Sequence, residues 1–129
     1  MKHKYLEDLG ALKNLPSEWC VGDKREPKWE EERAVYGFDS RDTWNMDSAF
    51  ICWLYERLMM YNEINIVDTS YHKFEYENQT ITFQDCIDRM ISGCKIYLSD
   101  TNWDCNSESR KLVNDVLNLF ALCFWCLWW

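Results

Sequence analysis

YGFDSRDTWNMDSAFICWLYERLMMY, residues 36–61, is the stretch on which the fold turns. Gly37, Asp39 and Ser40 make a turn, and a long amphipathic helix over roughly 42–62 follows it. Met46, Phe50, Trp53, Leu54, Leu58 and Tyr61 recur at helical spacing and predict its buried face. Asp39 or Ser40 suits the N-cap. Asp42 and Asp47 suit the positive end of the helix dipole.

Toward the C-terminus the period changes. From Tyr71 to Glu77, His72, Phe74 and Tyr76 alternate with Lys73, Glu75 and Glu77, which is strand periodicity. A turn at Asn78-Gln79 into a second strand at Thr80–Thr82 predicts a small β-hairpin, with an irregular loop as the alternative. Residues 82–98 return to helical spacing. Thr82 and Asp85 form a T-x-x-D start, a variant of the capping box. Phe83, Cys86, Ile87, Met90, Cys94, Tyr97 and Leu98 make its apolar stripe. SDTNWDCNS (99–107) breaks it, and Ser107 caps a last helix in which Leu112, Val116, Phe120, Cys123, Phe124 and Leu127 share a face. From Leu117 onward only Asn118 is polar. That run is too short to cross a bilayer and predicts burial in a core or an oligomer interface.

Toward the N-terminus the signals weaken. Residues 4–15 predict a short helix with Tyr5, Leu9, Leu12 and Leu15 near one face. Gly10 weakens it and Pro16 ends it. A loop over 16–28 follows, then a brief helix through WEEERA, with Pro27 at its first position. The expected fold is mainly α: three main amphipathic helices, a small β-hairpin and an N-terminal arm. Residues 1–35 are the arm or cap and 36–129 the helical core domain.

The chain has 129 residues, enough for one core. It carries eight Trp, seven Tyr and six Phe; a few buried rings suffice for most of the core, most of these aromatics are expected in it, and the rest are left for an exposed patch that binds a partner. The net charge is −8, of which residues 1–33 supply −1 and the rest −7. Phosphate binding needs clustered Lys and Arg, so neither nucleic acid nor an anionic membrane is an expected direct partner. A basic protein is, including a nucleic-acid enzyme whose channel accepts an acidic mimic. The seven cysteines are odd in number, several lie on apolar helix faces, and MKHKYLEDLG has no secretory apolar run. Reduced thiols in a cytoplasm are the simplest account.

No reaction is spelled out. Cys123-x-x-Cys126 has redox spacing but falls late in an apolar helix, where it reads as packing. Histidine occurs only at 3 and 72. A four-ligand zinc site lacks the spacing, since Cys94 and Cys105 are far apart. His72 with a cysteine is a nucleophilic pair in principle and a half-exposed strand residue more simply. G-x-S-x-G, Gly-rich phosphate loops and H-E-x-x-H are absent from the sequence. Asp39, Asp42, Asp47, Asp85 and Asp88 are able to hold magnesium but are explained by capping and solvation. No catalytic residue, cofactor or metal ligand is therefore assigned.

Gly37-Phe38-Asp39-Ser40-Arg41-Asp42-Thr43-Trp44-Asn45-Met46-Asp47 resembles the block G-[YF]-S-x-x-D-x-W-x-[LM]-D of a family of small bacteriophage and prophage proteins. Cys86-Ile87-Asp88-Arg89-Met90-Ile91 resembles their second helix, which often begins with Trp where this chain has Cys86. Leu119 to Trp128 is similar to their terminal L-F-x-x-[YF]-F-x-x-L-W, with Cys123 at an aromatic position. The thiols at 86 and 123 leave volume that Trp125 or Trp129 is expected to fill. The three blocks run in order across residues 36–129. The resemblance carries no assigned chemistry; it implies phage origin and the cytoplasm of an infected bacterium. The expected function is binding: inhibition of a host defence protein through an acidic and aromatic surface comprising Asp39, Asp42, Asp47, Trp53, Glu75 and Glu77. The alternatives are a nucleotide-signal-sequestering protein using Arg41, Arg57, Arg89, Arg110 and Lys111, a phage assembly protein joined through its C-terminal helix, and a metal-dependent enzyme. Trp44 and Trp128 are expected to anchor the start of the main helix to the last helix, at a cost of about 3–5 kcal/mol for Trp44→Ala if the ring is buried.

Overall fold

The computed structural model describes residues 2–64, 67–99 and 107–128. Five helices, α1 (Lys4–Leu9), α2 (Glu26–Tyr36), α3 (Met46–Ile64), α4 (Phe83–Ser99) and α5 (Ser107–Cys123), accompany two strands, β1 (Lys73–Tyr76) and β2 (Gln79–Thr82). Single 3₁₀ turns lie at Leu12–Asn14, Pro16–Glu18, Ser40–Thr43 and Phe124–Cys126. The architecture is mainly α with a small hairpin, as the periodicity predicts. Residues 100–106, Trp129 and the Ser107 side chain lie outside the described residues. The expected break, Cys105 and the Ser107 cap therefore fall there.

α4 is the central layer and packs on both α3 and α5. Its stripe is as predicted: Phe83, Cys86, Ile87, Met90, Cys94 and Leu98 are all buried. The Thr82 hydroxyl accepts from the Asp85 amide (3.1 Å), and the Asp85 carboxylate accepts from the Thr82 amide (2.9 Å), closing the capping box. Gly93 lets α5 approach closely. A Cβ there would lie 2.3 Å from Cγ2 of Val116, so the two helices touch where α4 has no side chain. Val116, Leu119 and Cys123 of α5 fill the other side of this core.

The hairpin turns one residue earlier than expected. Glu77 (φ 52°) and Asn78 (φ 62°) both adopt the left-handed region, as a two-residue primed turn requires. Phe74 pairs with Ile81 and leans on the core. Tyr76 reaches α5, donating to Asp115 at 2.5 Å, while Arg89 of α4 donates to the same carboxylate at 3.1 and 3.2 Å.

Two expectations about helix faces need correction. α3 buries Ser48, Ile51, Cys52, Leu54, Tyr55 and Leu58, whereas Met46 and Trp53 point outward. Apolar residues surround this helix, so spacing alone does not say which stripe is inside. At the N-terminus α1 stops at Leu9 because Gly10 takes a left-handed conformation (φ 72°) and its amide closes on Glu7 and Leu6 carbonyls. Leu6, missed in the sequence, is fully buried and joins Ala11 and Leu15 in the same core as α3 to α5. The first fifteen residues are thus part of the body. α2 is peripheral and buries only Trp29.

Candidate interaction surface

α3 is covered on one side by α1 and on another by α4, and its remaining side faces outward. The residues along that side are Met46, Phe50, Trp53, Arg57, Met60 and Ile64. Phe50 is half-buried and the other five are exposed. Five of the six are apolar where a solvated helix face is ordinarily polar. Trp53 stacks on Phe50 at 6.1 Å between centroids and 17° between planes. The Arg57 guanidinium lies 4.6 Å from the Trp53 ring centroid and donates to the Trp53 carbonyl at 3.1 Å.

The aromatic series continues onto α5. Phe50 meets Phe120 edge-on at 5.8 Å, Phe120 meets Phe124 at 5.6 Å, and Phe124 meets Trp125 at 5.4 Å. The last rings emerge because α5 ends at Cys123 and the chain tightens into a 3₁₀ turn. That change in rotation per residue takes Phe124 and Trp125 off the buried stripe. The Tyr61 hydroxyl donates to the carbonyls of Trp128 (2.9 Å) and Cys126 (3.4 Å), which holds the backbone down while the Trp128 ring stays outside. Trp125 is 83% and Trp128 71% exposed. Burial of the apolar tail is therefore only partial: Cys123 is fully buried, whereas Phe124, Trp125 and Trp128 are exposed. Of the two rings expected to join α3 to α5, that of Trp128 is exposed. Trp44 instead packs edge-on against Trp29 of α2 at 5.8 Å.

The acidic residues expected at a surface divide into two groups. Asp39 is 3% exposed and belongs to the fold. Its carboxylate accepts from Arg41 at 2.8 and 3.0 Å, from Arg33 at 2.6 Å and from the Arg41 amide at 2.9 Å. Burial alone would raise its pKa, but these hydrogen bonds outweigh it and hold the carboxyl below its ordinary value. Arg41, equally buried, also donates to the carbonyls of Ser17 and Trp19 and lies 4.3 Å over the Trp29 ring. Asp42 closes the reciprocal cap by accepting from the Asp39 amide. This latch ties α2 and the preceding loop to the entry of α3. The remaining group is exposed: Asp47 accepts from Tyr97, Glu75 accepts from Thr80, and Glu77 sits at the hairpin turn, 3.9 Å from Arg89. Asp47 shares α3 with Trp53, whereas Glu75 and Glu77 belong to the hairpin.

Burial pushes the thiols of Cys52, Cys94 and Cys123 up to about 12 and raises that of Cys86 as well. Such thiols stay protonated and unreactive at neutral pH. Tyr76 is raised to about 12 by burial and by its bond to Asp115. Arg41 and Arg89, two of the cations available to a nucleotide, are engaged in internal ion pairs. Among the described residues no group of three His, Cys, Asp or Glu side chains is arranged to hold a metal ion, and no helix is long and apolar enough to cross a membrane. Comparison with protein-family models, with curated proteins and with solved structures returns no match for this chain.

Proposed function

We propose that this protein is a phage accessory protein that works by binding, and that it inhibits a host defence protein of basic character. The carrying observation is the outward aromatic cluster at the end of α5, Phe124, Trp125 and Trp128. Exposed indoles so close together resemble the anchors that dominate protein interfaces, where Trp is enriched among residues costing 2 kcal/mol or more on truncation. The −8 charge supports a basic target, steering encounter and fixing register. The resemblance of three sequence blocks to those of small phage and prophage proteins supports the origin. Asp47, Glu75 and Glu77 are the exposed acidic members of this reading.

The test is capture from nuclease-treated bacterial lysate with tagged protein, identified by mass spectrometry. One host protein at near-equal amount, released by high salt and lost with Trp125→Ser/Trp128→Ser, is the expected result. Recovery of the bait alone, or capture indifferent to both substitutions, overturns it.

A further inference from the structure

The outward stripe of α3 is a self-complementary seam. Met46, Phe50, Trp53, Arg57, Met60 and Ile64 follow one another at steps of four, three, four, three and four, the alternation of a coiled-coil seam. The series reads the same from either end about position 55. A second copy laid antiparallel across a two-fold axis there would set Met46 on Ile64 of that copy, Phe50 on Met60, and Trp53 on Arg57. We propose that the chain pairs with a second copy of itself through this antiparallel α3–α3 contact.

The charge pattern selects both the occupant and the direction. Arg57 is the one cation in the stripe, and in each copy it already lies on an indole, 4.6 Å from the Trp53 centroid. Antiparallel pairing sets each guanidinium beside the second copy's Trp53, whose ring already carries Phe50 and Arg57 of its own chain, and keeps the two cations apart. Parallel pairing would bring the two guanidinium groups together, which like charges disfavour. A polar residue at one seam position sets register in this way in other coiled coils. The seam runs the length of the 19-residue helix. The exposed portions of these side chains sum to roughly 500 Å² per copy on a scale of 150–250 Å² for a whole aromatic. The pair thus buries on the order of 1,000 Å², the lower bound for a specific interface. Affinity in the micromolar range is expected. This inference is independent of the host target: the anchors of that reading lie in the turn and tail beyond α5, and pairing would present two sets of them.

Sedimentation equilibrium of the full chain from 1 to 200 µM is the test. Wild type should move from the 15.7 kDa mass of one chain toward twice that mass. Met60→Glu and Trp53→Glu should remain monomers throughout, with unchanged far-ultraviolet circular dichroism. Arg57→Glu should weaken pairing at least tenfold. A wild type that stays at one chain mass at 200 µM overturns the proposal. So does a dimer that survives Met60→Glu but is lost with Leu117→Glu on α5. If either glutamate variant unfolds, Met60→Gln and Trp53→Gln take its place with the same expectations. Capture of a host protein by a strictly monomeric chain would refute the pairing and leave the proposed function standing; a dimer that captures nothing would do the reverse.

Discussion

Two Arg–Trp stacks in this molecule use the same chemistry to opposite ends. At the entry to α3, Arg41 lies over Trp29 with both side chains out of water. Halfway along α3, Arg57 lies over Trp53, which is 46% exposed. The difference is what surrounds each guanidinium. Arg41 has a buried carboxylate, Asp39, and two backbone carbonyls as acceptors. Arg57 has the Trp53 carbonyl of its own helix. A cation stacked on an indole becomes structural when its donors are enclosed, and remains a surface feature when they are not.

The largest test of that comparison falls on the enclosed stack. Arg41→Ala should leave the buried Asp39 carboxylate with Arg33 as its one remaining cationic partner and cost about 3 kcal/mol or more in urea unfolding; a loss below about 1 kcal/mol would make the two stacks equivalent. Gly93→Ala sharpens the contrast from the core side. Its new Cβ would strike Val116, and about 1–3 kcal/mol should be lost, whereas Ala49→Gly beside the outward stripe should cost only about 1 kcal/mol of helix propensity.

Smaller effects follow from titration. Asp39 has a lowered pKa in the folded state, so its contribution is present above the ordinary carboxylate range and is lost as pH falls through the lowered value. Wild-type stability should therefore drop in acid, below about pH 4, and Asp39→Asn should be less stable at neutral pH with a flatter acid limb. An unaltered acid limb would remove Asp39 from the balance. The buried thiols have the opposite sign. Their raised pKa values stabilise below about pH 9 and that contribution fades as pH rises toward about 12. Iodoacetamide at pH 8, read by peptide mapping, should label Cys20, which is exposed, and leave Cys52, Cys86, Cys94 and Cys123 protected until unfolding.

Much of this fold is legible in the sequence where one face is apolar and the other polar. α4 is the clearest case, from its T-x-x-D cap to Leu98. α3 is harder because both its sides are apolar, so spacing finds the helix but not the stripe that packs. Trp29 is legible only in retrospect. WEEERA looks like a solvated helix, and nothing local shows that Arg25 and Arg41 bracket the ring at 5.0 and 4.3 Å. Asp39 reads as a cap, but it caps the 3₁₀ turn Ser40–Thr43 and not α3, which starts at Met46, and its burial depends on Arg33 and Arg41 arriving together. The outward aromatics of α5 hinge on a switch to 3₁₀ winding after Cys123, which an apolar run does not announce. Trp53 sits at helical spacing with Leu54 and Leu58, so the sequence does not separate it from the core face, yet it is exposed, as is Met60.

An aromatic ring kept for contact with a partner, as proposed for Trp53 on α3 and Trp125 beyond α5, contributes little to the fold. Urea unfolding of Trp53→Ser/Trp125→Ser, at a concentration low enough to keep the chain monomeric, tests it most directly. A loss of about 1 kcal/mol or less is expected although two indoles are removed. A loss of about 3–5 kcal/mol, the cost of emptying a buried aromatic site, would place these rings in the core and contradict it.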